Sequence, residues 1–182
     1  MSTGGQAIAQ NRARRRAQEQ TATRAAILEA ARKVGARDGA RHLSLRAVAA
    51  EAGFAPAALY GYFRNKDELL LARAADDLSR VARAMRDAGL NAPPAEKLEA
   101  AALAAVRLLQ QTETLATAPA ALSGGLAPDA ERIFNGRLIA ALRSLSDAAG
   151  IPMDSRDSQL DTVLLAATLT GLAVMARSGR DR

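Results

Sequence analysis

The sequence has no cysteine and no tryptophan, and it has one histidine, His42, with two tyrosines and three phenylalanines among 182 residues. Without cysteine there is no disulfide, no thiolate metal site and no cysteine nucleophile. One histidine excludes a multi-histidine metal centre. No spacing of a catalytic base and nucleophile is recognisable, so an enzyme is not expected, and neither a metal nor a cofactor is implied. Long apolar runs are scarce too. The first twenty residues are polar and basic and lack the apolar stretch of a signal peptide. The uncharged run Thr162–Ala176 has 15 residues, fewer than the roughly 20 of a membrane span. A cytoplasmic chain with no membrane partner is expected.

What is present is alanine, 45 residues of it, in a chain that is 49% hydrophobic. Alanine is the best helix former, and no strand-like alternation of apolar and polar residues occurs. The expected fold class is all-α. Charge is unevenly placed. Residues 1–90 carry 16 Lys/Arg and 9 Asp/Glu, whereas residues 91–182 carry 9 and 10. A basic first half beside a near-neutral second half fits a polyanion partner for the first half, and it also fits a solvated basic surface.

Residues 1–20 show no apolar periodicity, and Arg12, Arg14, Arg15 and Arg16 cluster there. They read as a flexible basic arm, either a solvated tail or a strand along nucleic-acid phosphate or in a minor groove. A first helix is predicted from Thr23 to Arg37, with Ile27, Leu28, Ala31 and Val34 on one face and Gly39 as its stop. Ser44 is a suitable N-cap for a two-turn helix ended by Gly53. Another short helix is predicted from Pro56 to Tyr62, with proline at its first position. A longer one follows, Lys66–Ala88. Gly89, Asn91, Pro93 and Pro94 break the pattern, and three helices then read as 94–117, 127–149 and 154–178.

The pair of short helices joined by a Gly-containing turn is a helix-turn-helix pattern. The first braces the second through Val48, Ala49 and Leu59. The second can then present its small N-terminal residues, Ala55, Pro56, Ala57 and Ala58, to a major groove. From Ile27 to Leu70 the sequence resembles the DNA-binding domain of TetR-family transcriptional regulators. The matching pieces run in order without a gap: ILEAA at 27–31, Ser44, VAAEAG at 48–53, ALYGYF at 58–63 and NKDELL at 65–70.

The resemblance implies an N-terminal three-helix DNA-binding domain at 21–66, after the arm at 1–20. A helical effector-binding and dimerisation domain follows at 67–182. It implies that Ser44, Arg46, Tyr60, Tyr62 and Lys66 meet phosphate, and that residues 55–58 and Gly61 face bases. Three positions depart from the family pattern. Ala55 replaces a usual Ser or Thr, Gly61 a larger polar residue, and Gly35 a common core aromatic. The reading head therefore has few base-edge donors, and specificity is expected to lean on backbone contacts and DNA shape. An interaction module that keeps this fold with weakened or lost DNA binding is the alternative reading.

The helix at 154–178 is apolar on nearly all sides, which calls for burial on two faces. Ala167 and Gly171 form a small-residue strip on it. The helix at 127–149 has two apolar stripes. Together they predict a homodimer through four helices, as in the resembled family, with two reading heads about one DNA turn apart, roughly 34 Å, on a near-palindromic operator. Gln110, Thr112 and Thr114 interrupt apolar stripes of the helix at 94–117, which also carries Val106. By family analogy these residues, with Phe134 and Leu138, line the pocket of an unidentified small apolar effector. They also read as surface or interhelix hydrogen-bonding residues.

Overall fold

The computed structural model describes residues 3–39, 42–112 and 128–178, and every regular element in them is helical. Seven α-helices are described: α1 Thr3–Asp38, α2 Leu45–Ala52, α3 Pro56–Leu59, α4 Lys66–Asn91, α5 Lys97–Leu109, α6 Pro128–Ala149 and α7 Arg156–Ser178. The all-α expectation holds. The chain divides into two compact units, Met1–Leu69 and Leu70–Arg182.

In the first unit α1 packs on α2 and α2 on α3. Ile27, Ala31 and Val34 of α1 are buried, as are Leu45, Val48 and Ala49 of α2 and Leu59 of α3. Leu43 and Phe63 complete this core. Each fully buried side chain of the size of Leu or Phe stabilises the fold by about 1.5–3 kcal/mol. Gly35 is buried without a side chain, so the position of a common core aromatic is filled by neighbouring aliphatics. Gly39 has φ +80° and its N–H donates to the Gly35 carbonyl at 2.9 Å. It ends α1 where expected.

The start of α1 differs from the expected flexible arm: residues 3–20 are helical and continuous with the rest. Apolar periodicity could not have revealed this helix, because residues 6–22 are all exposed and bury nothing. Propensity explains it. The segment is rich in alanine, glutamine and arginine and has no proline, and the packed C-terminal part of α1 supplies the nucleus from which a helix propagates cheaply. Other boundaries are shorter than expected. The second short helix ends at Leu59, with Tyr60–Tyr62 in a turn. Pro94–Glu96 is a 3-10 turn before α5, and α5 ends at Leu109; residues 113–117 lie outside the described residues.

In the second unit α5 packs against α6 and α7, and α6 against α7. Leu71, Leu78, Val81 and Met85 of α4 form one core with Ala101 and Ala105 of α5, Phe134 and Leu145 of α6, and Leu169 of α7. Arg177 Nη1 donates to the Thr112 carbonyl at 3.2 Å, tying the end of α7 to the chain just past α5. Gly150, at φ +67°, closes α6. α7 is long and apolar enough to cross a membrane by length and composition alone. Here it docks along one stripe, Thr162, Leu169 and Ala173. Leu160, Val163, Leu164, Leu172, Val174 and Met175 remain exposed on it.

One ion pair is buried in this unit, Arg73 Nε to Asp77 Oδ2 at 3.7 Å on successive turns of α4. Removing one member of a buried pair leaves a charge in a poorly solvating site and costs about 3–5 kcal/mol. Asp77→Ala should therefore lower the denaturation midpoint by that amount in a urea titration. The double variant Arg73→Met with Asp77→Leu should recover most of it, and equal loss in both variants would contradict this account.

Candidate nucleic-acid interface and ligand cavity

Ser44 opens α2 from an extended backbone, φ −137° and ψ 153°, and its Oγ accepts from the Ala47 N–H at 3.1 Å. That bond uses a lone pair, so the hydroxyl proton of this exposed residue remains a donor toward solvent. Gly53 stops α2 at φ +72°, its N–H directed at the Ala49 and Ala50 carbonyls. Phe54 N donates to the Ala49 carbonyl at 2.9 Å, and Ala55 then returns to extended backbone at ψ 138° before Pro56. The turn between the helices is thus closed by main-chain bonds.

Ala55, Pro56, Ala57 and Ala58 are all exposed, and only Leu59 of α3 is buried. Ala55 caps α3 without a side-chain hydrogen bond. Gly61 is exposed as well, and a Cβ there would stand 3.3 Å from the Ala58 carbonyl oxygen. A larger residue at 61 thus requires a small shift of the turn. Tyr60 is 61% exposed, so its ring is free of the core. Tyr62 is half-buried and Arg46 fully exposed. Lys66, half-buried, begins α4.

The N-terminus of α4 carries a cap absent from the predicted site. Asn65 Oδ1 accepts from the Glu68 N–H at 2.8 Å, and Glu68 Oε2 accepts from the Arg64 N–H at 2.8 Å. The signal was in the sequence as Asn-x-x-Glu, a relative of the capping box. It fixes the turn that carries Arg64 and Lys66. Arg24 of α1 lies with its guanidinium 4.8 Å from the centroid of the Phe63 ring, bracing that turn from the other side.

At the far end of α1, Arg37 bonds Asp38 through Nε at 2.9 Å and Nη2 at 3.1 Å, and reaches Glu51 of α2 at 3.2 Å. His42 Nδ1 sits 2.8 Å from the Asp38 carbonyl oxygen. The Arg37 hydrogen bond holds the Asp38 carboxyl below the usual carboxylate range; the Arg37 and His42 charges add to this, and partial desolvation opposes it.

In the second unit an apolar cavity of about 240 Å³ lies between α4, α5, α6 and α7. Leu78, Val81 and Met85 of α4 line it, with Ala105 and Leu109 of α5. Phe134, Leu138 and Ala141 of α6 and Leu169 and Thr170 of α7 are also at its wall. Of the expected pocket residues, Phe134 and Leu138 meet there. Val106 packs on the core beside it, and Gln110 sits in the turn after α5. Thr112 is buried, its hydroxyl donating to the Leu108 and Leu109 carbonyls. Thr114 lies outside the described residues. The α4 residues were missed although their stripe was recognised as inward-facing, because a stripe does not distinguish a filled core from a cavity wall. Among the described residues no cluster of His, Cys, Asp and Glu could hold a metal.

Two measurements check the first unit. Ser44→Ala should cost about 0.5–2 kcal/mol, and Ala55→Ser, which supplies the missing cap, should return a gain within that range; thermal midpoints of the two variants should move in opposite directions. Asp38 has a folded pKa below its unfolded value of about 3.9. Its contribution is present above that value and is lost as pH falls through the lower folded one. The stability difference between the wild type and Asp38→Asn should shrink between pH 5 and pH 2, and a constant difference would contradict the assignment.

Residues 27–72 match the family model described as bacterial regulatory proteins, tetR family. No curated protein matches the sequence. Among solved structures, the chain is similar to the fatty acid degradation regulator FadR from Bacillus halodurans, at 22% identity and a TM-score of 0.59, over 82% of this chain and 81% of that one. It is similar to FadR from Bacillus subtilis, solved in complex with stearoyl-CoA, at 20% identity and a TM-score of 0.62, over 86% and 88%. A putative transcriptional regulator from Pseudomonas aeruginosa PAO1 shares 26% identity at a TM-score of 0.57, over 85% and 78%. These are regulators, and proteins of this kind are not enzymes in general. With the ordered match across α1–α4 and a fold common to those solved regulators, the chain is a tetR-family transcriptional regulator with a helix-turn-helix DNA-binding domain at its N-terminal end.

Proposed function

We propose that the chain is a cytoplasmic, dimeric repressor that holds a near-palindromic operator and releases it when a small apolar ligand enters the second unit. The observation that carries this reading is the exposed helix-turn-helix inside the matched segment. Ser44, Arg46, Tyr60, Tyr62 and Lys66 would meet phosphate, the last helped by the free N–H groups of α4. Ala55–Ala58 and Gly61 would face bases. None of these five side chains offers a hydrogen-bond donor, so methyl contacts with thymine, backbone contacts and duplex shape would set the sequence preference. Two copies joined through the exposed apolar faces of α6 and α7 would present two heads to one site.

The cavity supports an apolar effector. Its only polar lining side chain is Thr170, whose hydroxyl donates to the Ala166 carbonyl of its own helix at 2.8 Å. At about 240 Å³ it exceeds the roughly 150 Å³ apolar cavity that admits benzene. It is below the roughly 300–1,000 Å³ of larger ligand pockets. Unlike the neighbour solved with stearoyl-CoA, this cavity therefore suits a compact ligand. The ligand would act by a shift of α4 that changes the spacing of the heads, which requires different affinity for the two states.

One observation favours the second reading, an interaction module with weakened DNA binding: α3 is only four residues long and uncapped by any side chain. Salt separates the two. Operator affinity should fall steeply with salt, and Arg46→Ala should reduce the slope of log affinity against log salt by about 0.9. Partner binding insensitive to salt, with no duplex shift at low ionic strength, would sink the repressor reading. For the effector, Ala141→Phe should fill the cavity and leave a reporter repressed in the presence of inducer. Leu172→Glu should convert a dimer to a monomer in sedimentation, and an unchanged mass would remove α7 from the interface.

A further inference from the structure

The helical start of α1 has a face that the operator reading does not use. Residues 6–22 are exposed throughout, and they carry Arg12, Arg14, Arg15 and Arg16 with a single acid, Glu19. Arg12, Arg15 and Arg16 fall on one side of the helix by their three- and four-residue spacing. Like charges at those spacings destabilise an isolated helix by a few tenths of a kcal/mol per pair. A polyanion would relieve that repulsion.

The place where this segment leaves the first unit is also fixed. Arg24 lies over Phe63, in the turn that carries Tyr62, Arg64 and Lys66. At about 1.5 Å per residue, Arg16 stands roughly 12 Å, and Arg12 roughly 18 Å, along the helix beyond that contact. This is about four to five base pairs at 3.4 Å each. We propose that residues 3–20 form a helical outrigger whose arginines bind the phosphates of duplex DNA flanking the operator, extending the footprint without reading sequence. The helical state narrows the mode of contact. A helix with its side chains is about 10–12 Å across, whereas the minor groove is about 6 Å wide. An extended arm threaded into that groove is thus replaced by a rod along the backbone.

The inference rests on the operator reading, and the test separates them. A duplex would be selected from a random pool with the full chain, and footprints and salt series measured for three further variants. These are deletion of residues 2–20, replacement of all four arginines by glutamine, and replacement of all four by lysine. Because residues 6–22 bury nothing, the thermal midpoints should not change. Deletion and the glutamine set should lower the salt slope by about 2–4, at roughly 0.9 per lost phosphate contact, and shorten protection by about four to five base pairs at each end. The lysine set should keep both, since phosphate neutralisation needs charge and not a planar fork. Unchanged slope and footprint in the glutamine set would overturn the outrigger and leave the operator reading standing. No duplex selected by the full chain would overturn both. Unchanged DNA binding with lost affinity for anionic phospholipid vesicles would assign the face to a membrane instead and overturn the proposal.

Discussion

Between Ala52 and Pro56 the backbone must reverse, leave one helix and enter the next within three residues, and Gly53 makes this possible. At φ +72° it occupies the left-handed region, which costs other residues about 1–2 kcal/mol. Its N–H and that of Phe54 close the end of α2 on its own carbonyls. With the main chain satisfied there, Leu59 can be drawn into the core beside Val48 and Ala49 while the four residues before it stay outside. The exposed head is a consequence of that turn. α3 has too few residues to be stable alone, so its orientation is set by the turn before it, by Leu59 and Phe63 beneath it, and by the Asn65–Glu68 cap after it.

Those supports divide the labour of the first unit. Positioning comes from Ser44, Asn65 and the Arg24–Phe63 contact, all independent of any ligand. The surface they hold is small and nearly featureless. Five residues without donors permit close approach to a duplex and contribute little base discrimination. Arginines and the α4 N-terminus supply the attraction. Such a surface gains affinity from charge and selectivity from the shape and deformability of the site, so salt dependence and flanking contacts matter more than the identity of any one side chain on α3.

The punctuation of the first unit was legible in the sequence because it is chemical. Ser44, Gly53, Pro56 and Gly39 each sit where a cap, a left-handed residue, a fixed φ or a helix stop is required, and the apolar stripe of α1 has the right period. Residues 3–20 were not legible as helix because periodicity reports burial, and this helix buries nothing. Only its alanine, glutamine and arginine content favoured it, and a basic composition also describes an irregular tail. The cavity was half legible. Phe134 and Leu138 stood out as large apolar residues on α6, whereas Leu78, Val81 and Met85 looked like ordinary core. Whether such residues enclose space depends on how far apart three other helices are held, which no single-helix pattern encodes.

α7 states the remaining constraint. A soluble helix exposing Leu160, Val163, Leu164, Leu172 and Met175 together has apolar surface in water at about 25 cal/mol per Å², and contiguous patches of that kind mark contact surfaces. Two media could cover it, a lipid bilayer or protein. The arginines at both ends, Arg156 and Arg177, the acids Asp157 and Asp161 in its first turns, and Thr162 packed at zero exposure against its own unit all fit protein better. A bilayer would leave the stripe of α7 that faces α5 and α6 no reason to be specific. A second copy would cover Leu164 and Leu172 while keeping that stripe in place. Leu138 and Thr170 are cavity-wall residues that are themselves exposed, so the covering partner would also close the cavity. On this argument, pairing of two chains and retention of a ligand draw on the same apolar surface, and stabilising one should stabilise the other by linkage.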